Sequence, residues 1–138
     1  MGTPVMKLLV ALFLVAHGLI HASWLSPAPA TAGGPAWPFA FADSWLVTRL
    51  GLDGGSVRIL GTALVLATVV LLVAAGLATM GWLVPAGWWT PLVVGGSVAS
   101  LATLTLFFHP WLVLGFAIDV VLLWAVLVNG WEATAIGA

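Results

Sequence analysis

Asp119 lies in the middle of an otherwise apolar stretch running from Trp111 to Val128, in a chain with four acidic and three basic residues among 138. Carrying a carboxylate into hydrocarbon costs a few kcal/mol on insertion scales, so such a residue faces a partner, a cavity or a helix interface. Candidate partners are few. His17 and His21 sit in the first apolar stretch at an i, i+4 spacing that places both rings on one helix face. Arg58 and His109 stand at the openings of the second and fourth apolar stretches. A carboxylate hydrogen-bonded to an imidazole fixes its tautomer and raises its basicity, which prepares the ring for proton transfer or for a metal. Two histidines at this spacing with a third elsewhere can belong to a metal set, but the spacing alone specifies none and no metal site is assigned. Each residue also has a purely structural reading. Asp119 can be a pin held by Ser or Thr of the neighbouring helices, Arg58 can snorkel to headgroups, and His109 before Pro110 fits a cap or turn. No P-loop, GxSxG, HExxH or dinucleotide-binding fingerprint is present.

Composition decides what kind of molecule positions these residues. The chain is 63% hydrophobic and 5% charged, with a mean hydropathy of +1.24, whereas a soluble domain carries about 25% charged residues. No water-soluble surface can be built from this set, so the sequence reads as an integral membrane protein in contact with the lipid bilayer. A net charge of −1 without a basic cluster argues against nucleic acid as a partner. The absence of Cys excludes disulfides and thiolate chemistry within the chain, so any redox role needs a cofactor or a partner's thiols. Nine Trp and no Tyr make Trp the interfacial anchor.

Four segments approach the roughly 20 helical residues needed to span the hydrocarbon: about 5–23, 57–79, 91–108 and 110–129. Pro4 suits a first helical turn, Ser56 and Thr90 suit N-caps, Pro91 follows at a first position, and Asn129-Gly130 makes a stop. Segment one also resembles a cleavable signal, with Lys7 as its basic end and Ala30-Thr31-Ala32 as a cleavage site. Its apolar run continues past His17, longer than most such signals, which favours a retained helix. Short connections after the second and third segments imply antiparallel neighbours. The expected fold is therefore all-α, an antiparallel four-helix membrane bundle forming a single domain over residues 1–138. The long first loop, 24–56, is rich in Pro, Ala and Gly, and Asp43 or Ser44 can cap a short interfacial helix from Trp45 to Leu50. Loops of this length act as lids or as mobile spacers; Trp37 and Trp45 within it and Trp111 at the start of the fourth segment are the lid or interfacial candidates. Trp82, Trp88 and Trp89 read as membrane-belt residues.

In such a bundle the end of segment one, the start of two, the end of three and the start of four share one membrane face. At a rise of about 1.5 Å per residue, Asp119 lies about 13 Å below that face and His17 about 10 Å below it, so the two can meet. His21, Arg58 and His109 lie above them. Segment three carries Gly95, Gly96, Ala99, Ser100 and Thr103, small residues that allow close helix packing.

The first helix (Val10 to Ile20, with His17-Gly18), the Trp-bearing first loop and Gly115-Phe-Ala-Ile-Asp119 in the fourth segment resemble the DoxX-like family of small membrane proteins. The resemblance implies a bacterial inner-membrane protein with both termini in the cytoplasm, associated with membrane redox complexes. It carries over no catalytic residue. Three functions follow as expectations: an accessory subunit binding a lipid or quinone-like molecule, alone, as a homo-oligomer or in a larger membrane complex; a proton-coupled transporter or permease component using Asp119 and His17; and an intramembrane enzyme with a His/Asp acid–base pair.

Overall fold

A computed structural model describes residues 4–30, 33–34 and 36–136. Among these the chain is helical without strands: α1 (Pro4–Ile20), α2 (Trp45–Thr48), α3 (Gly54–Met80), α4 (Trp89–Leu106) and α5 (Val113–Leu127), joined by short 3₁₀ turns. Four helical stretches, Pro4–Leu25, Gly54–Met80, Ala86–Leu106 and Pro110–Leu127, are long and apolar enough to cross a membrane. Ile59, Val70 and Leu114 are among many large apolar side chains left on the outer surface, an arrangement suited to acyl chains rather than water.

The helix ends follow local chemistry. α3 starts a turn before the expected cap at Ser56, because the Asp53 carboxylate accepts from the Ser56 backbone N–H at 2.7 Å. It ends at Gly81 in the left-handed region (φ 68°), where Gly81 N–H donates to Ala78 and Trp82 N–H to Leu77, a glycine-ended stop that satisfies the last carbonyls. Thr90 is not the cap of α4; the cap position falls on Trp88, with no side-chain bond, and Thr90 lies inside the first turn. Ser44 caps α2, accepting from Leu46 N–H.

α1 packs along α3, α3 along α4 and α4 along α5, whereas α1 and α5 make no comparable contact. Glycines let the first two interfaces close. A Cβ on Gly76 would fall 2.9 Å from the Ala11 carbonyl of α1, and one on Gly96 would fall 2.6 Å from Leu72 of α3. Two apolar clusters form the core. One joins Leu14, Leu72, Trp89, Val93 and Val126 with Ala133 and Ile136 of the last turn. The other joins Trp24, Val57, Val65, Leu104, Phe107 and Leu112. Trp89 is only 2% exposed, and its indole N–H donates to Thr79 Oγ1 at 2.9 Å; the expectation of a belt residue fails there because packing beside α3 supplies its polar partner. Trp82 and Trp88 are exposed.

The long loop is fastened to the end of α4. Ser44 Oγ donates to the Leu106 carbonyl at 2.6 Å and Trp45 Nε1 to the Thr105 carbonyl at 2.8 Å, so two carbonyls that the helix end leaves free are satisfied. Phe41 lies against Phe107, with ring centres 5.0 Å apart, over the space that Gly61 leaves without a side chain.

Candidate functional site

The residues between the two apolar clusters form one buried hydrogen-bonded chain. His17 Nε2 of α1 and Asp119 Oδ1 of α5 are 2.9 Å apart. The second carboxylate oxygen, Oδ2, is bonded to Ser100 Oγ of α4. Ser100 Oγ is also 2.8 Å from His21 Nε2, and His21 Nδ1 donates to the His17 carbonyl at 3.0 Å. All four side chains are buried, Asp119 and Ser100 completely. The local reasons are plain. α1 is followed directly by a 3₁₀ turn, His21–Leu25, and His21 thus remains within reach of the carbonyl four residues back. Gly96 and Gly18 meet Leu72 of α3, which brings the Ser100 side of α4 and the His17 side of α1 close to α3 and to each other.

A cavity of about 710 Å³ lies beside this chain. Its walls are His17, His21 and Trp24 from the first helical stretch, Leu112, Gly115 and Ile118 from the last, Leu104 from α4, and Trp37, Pro38 and Phe39 from the loop. It thus occupies the seam between α1 and α5, where helix contact is missing, and His17–Asp119 bridges that seam. The wall is aromatic: Trp24 stacks on His21 with centres 5.6 Å apart, and Phe39 meets Trp24 edge-on at 4.8 Å and Trp37 at 5.2 Å. Two polar atoms stand out. The indole N–H groups of Trp24 and Trp37 are enclosed and have no hydrogen-bond partner among the described residues. A buried donor without a partner costs about 1–3 kcal/mol, and both indoles line the cavity.

Of the residues singled out in the sequence, Asp119, His17 and His21 are brought together. Arg58 and His109 are not. Arg58 is exposed near the start of α3 and is not part of the cavity wall. His109 Nδ1 accepts from the Trp111 N–H at 3.2 Å and caps the 3₁₀ turn Pro110–Leu112, the turn role that its place before Pro110 suggests. Of the aromatic candidates, Trp37 lines the cavity, exposed Trp111 stands at its edge, and Trp45 fastens the loop to α4. Ser100 and Trp24 are additions. Ser100 reads in sequence as one of several small packing residues, yet it lies eight residues before Phe108, at about the depth of Asp119. Among the described residues no group of three His, Asp or Glu is arranged to hold a metal ion. Compared with protein-family models, curated proteins and solved structures, the chain matches none.

Proposed function

We propose that this chain is a small integral protein of a bacterial inner membrane, a single-domain bundle of four alternating helices related to the DoxX-like proteins. In this reading it binds a lipid or quinone-like molecule as an accessory subunit of a membrane redox complex, as a homo-oligomer or with other chains. The observation that carries the reading is the cavity in the α1–α5 seam: about 710 Å³, mostly aromatic and aliphatic, with two unpartnered indole donors and two imidazoles. Binding sites for small amphipathic molecules have this character, apolar walls with a few placed polar groups. A seam between two membrane-length helices opens towards acyl chains, which favours a ligand that arrives through the bilayer. The alternating arrangement is supported by the membership of the apolar clusters, since the end of α4 and the starts of α3 and α5 meet in one of them.

Purification from native membranes in mild detergent, followed by mass spectrometry of everything that co-elutes, tests the reading. A stoichiometric lipid or quinone-like molecule is expected with the wild type, and its recovery falls in Gly115→Leu, which adds a side chain to the cavity wall. Recovery of the bare chain alone, with no partner and no lipid, overturns it.

A second reading is favoured by the His17–Asp119 contact itself: a proton site in a transporter or permease component, dimeric because four helices alone rarely enclose a pathway. Asp119→Asn then abolishes pH-driven uptake in proteoliposomes, and unchanged uptake removes this reading.

A further inference from the structure

We infer that the cavity takes a head group bearing a hydroxyl, which donates its hydrogen to Nδ1 of His17. The inference rests on the proposed reading of the cavity as a lipid- or quinone-type site and specifies which chemical form it holds. It follows from counting hydrogens. The buried chain has four contacts: His21 Nδ1 to the His17 carbonyl, His21 Nε2 to Ser100 Oγ, Ser100 Oγ to Asp119 Oδ2, and Asp119 Oδ1 to His17 Nε2. Each hydrogen bond needs one hydrogen, and a carbonyl can only accept. Two neutral imidazoles, one hydroxyl and a carboxylate supply three. The chain is complete only with a fourth, and with it the group as a whole is electrically neutral, the state that a buried site without a counter-ion favours. Among the described residues no other ionisable group faces it: His17 and His21 come from the first helical stretch and Asp119 from α5, α4 contributes only Ser100, and α3, packed against α1 and α4, carries Arg58 alone, exposed near its start.

The placement of these four hydrogens is nearly fixed. One is on His21 Nδ1. Two serve the contacts on either side of Ser100, either as a doubly protonated His21 with Ser100 donating to Asp119, or as a protonated Asp119 donating to Ser100 with Ser100 donating to His21. The remaining one lies on His17 Nε2, pointing at Asp119. Moving it to Nδ1 breaks one of the four bonds in every arrangement. His17 Nδ1 therefore presents a lone pair, because the hydrogen bond to Asp119 uses the other ring nitrogen, Nε2. His17 lines the cavity, so the ring offers the ligand an acceptor. The enclosed N–H groups of Trp24 and Trp37 offer it donors. A hydroxyl head group answers this pattern by donating to the imidazole while its oxygens accept from indole. A head group with carbonyl or ether oxygens only leaves the His17 lone pair unmet unless the site takes up a further proton.

The test compares a long-chain alkylphenol with its methyl ether, titrated into the purified protein in nanodiscs and followed by quenching of tryptophan fluorescence. At pH 7.5 the phenol binds about tenfold more tightly than the ether, the scale of one net hydrogen bond. His17→Ala removes the preference, and since the wild-type comparison stands without that variant, poor folding of the variant does not protect the inference. Equal affinities, or tighter binding of the ether, with both compounds seated in the cavity, overturn the hydroxyl assignment and leave the lipid-site reading intact. Failure of both compounds to bind, with no co-purifying lipid, overturns the two together.

Discussion

His17 Nε2 and Asp119 Oδ1 stand 2.9 Å apart although 102 positions separate them in the chain, and this contact links the two long helices that otherwise scarcely touch. Removing one member of a buried polar pair is costlier than weakening it. Asp119→Ala strands the His17 imidazole and the hydroxyl of Ser100 that Asp119 holds and is expected to destabilise the protein by about 3–5 kcal/mol. Asp119→Asn keeps the shape and part of the bonding, and is expected to cost about 1–3 kcal/mol. Reversible unfolding in mixed micelles measures both; equal losses for the two variants refute the role given to the carboxylate's bonds.

The α1–α3 interface depends on the missing side chain of Gly76. A Cβ there meets the Ala11 carbonyl at 2.9 Å and Val15 Cγ2 at 2.6 Å. Because a backbone oxygen cannot swing aside as a side-chain tip can, Gly76→Ala is expected to cost about 1–3 kcal/mol of stability. Gly87→Ala, with nothing within 4 Å of the new atom, shifts it by less than about 0.5 kcal/mol. The same micelle assay distinguishes them.

The loop cover depends on two bonds to the end of α4. Trp45→Phe removes one, at a cost of about 0.5–1.5 kcal/mol, and Ser44→Ala removes the other together with the α2 cap bond from Leu46 N–H, at a cost of about 1–3 kcal/mol. Their larger effect is local: amide exchange over residues 36–52 quickens several-fold while that of α3 is unchanged. Uniform quickening of the whole chain contradicts this.

Asp53 gives the fold an acid-sensitive point outside the spanning segments. Its backbone bond from Ser56, seconded by the Ser56 side chain, holds the carboxyl below the ordinary aspartate range. A carboxylate whose folded value is depressed contributes stability that is complete above the unfolded value, about 3.9, and disappears as pH falls through the lower folded value. The first turn of α3 should therefore exchange its amides faster below pH 4 in the wild type, after correction for intrinsic exchange. Asp53→Asn should flatten that dependence; an identical profile in the two proteins shows that the cap contributes nothing.

Much of the site could be read from the chain because hydrocarbon makes polarity conspicuous. Asp119 stood out by type, His21 followed from His17 by helical spacing, and the meeting of His17 with Asp119 followed from similar depths on helices of known rise. Ser100 could not be singled out in the same way, since a serine among Gly96, Ala99 and Thr103 serves close packing as readily as hydrogen bonding. The loop's bonds to α4 were hidden for a different reason: backbone carbonyls are the same at every helix end, and nothing in residue type marks which will receive Ser44 or Trp45. Trp88 and Trp89 differ by one position and have opposite fates, exposed and enclosed, because the side of a helix that packs is decided by its neighbour. Helix starts moved by a few residues where the capping side chain proved to be Asp53 rather than Ser56.

The 102-residue separation of the bridging pair has a consequence for biogenesis. At about 5–20 residues per second, translation of the intervening chain takes about 5–20 s, during which the first hydrophobic segment is available to the membrane while the carboxylate it will hold does not yet exist. A nascent chain arrested between Gly96 and Asp119 would therefore have its first helix able to seat against α3 while His17 still lacked its carboxylate, and arrival of the final helix would be the event that closes the seam.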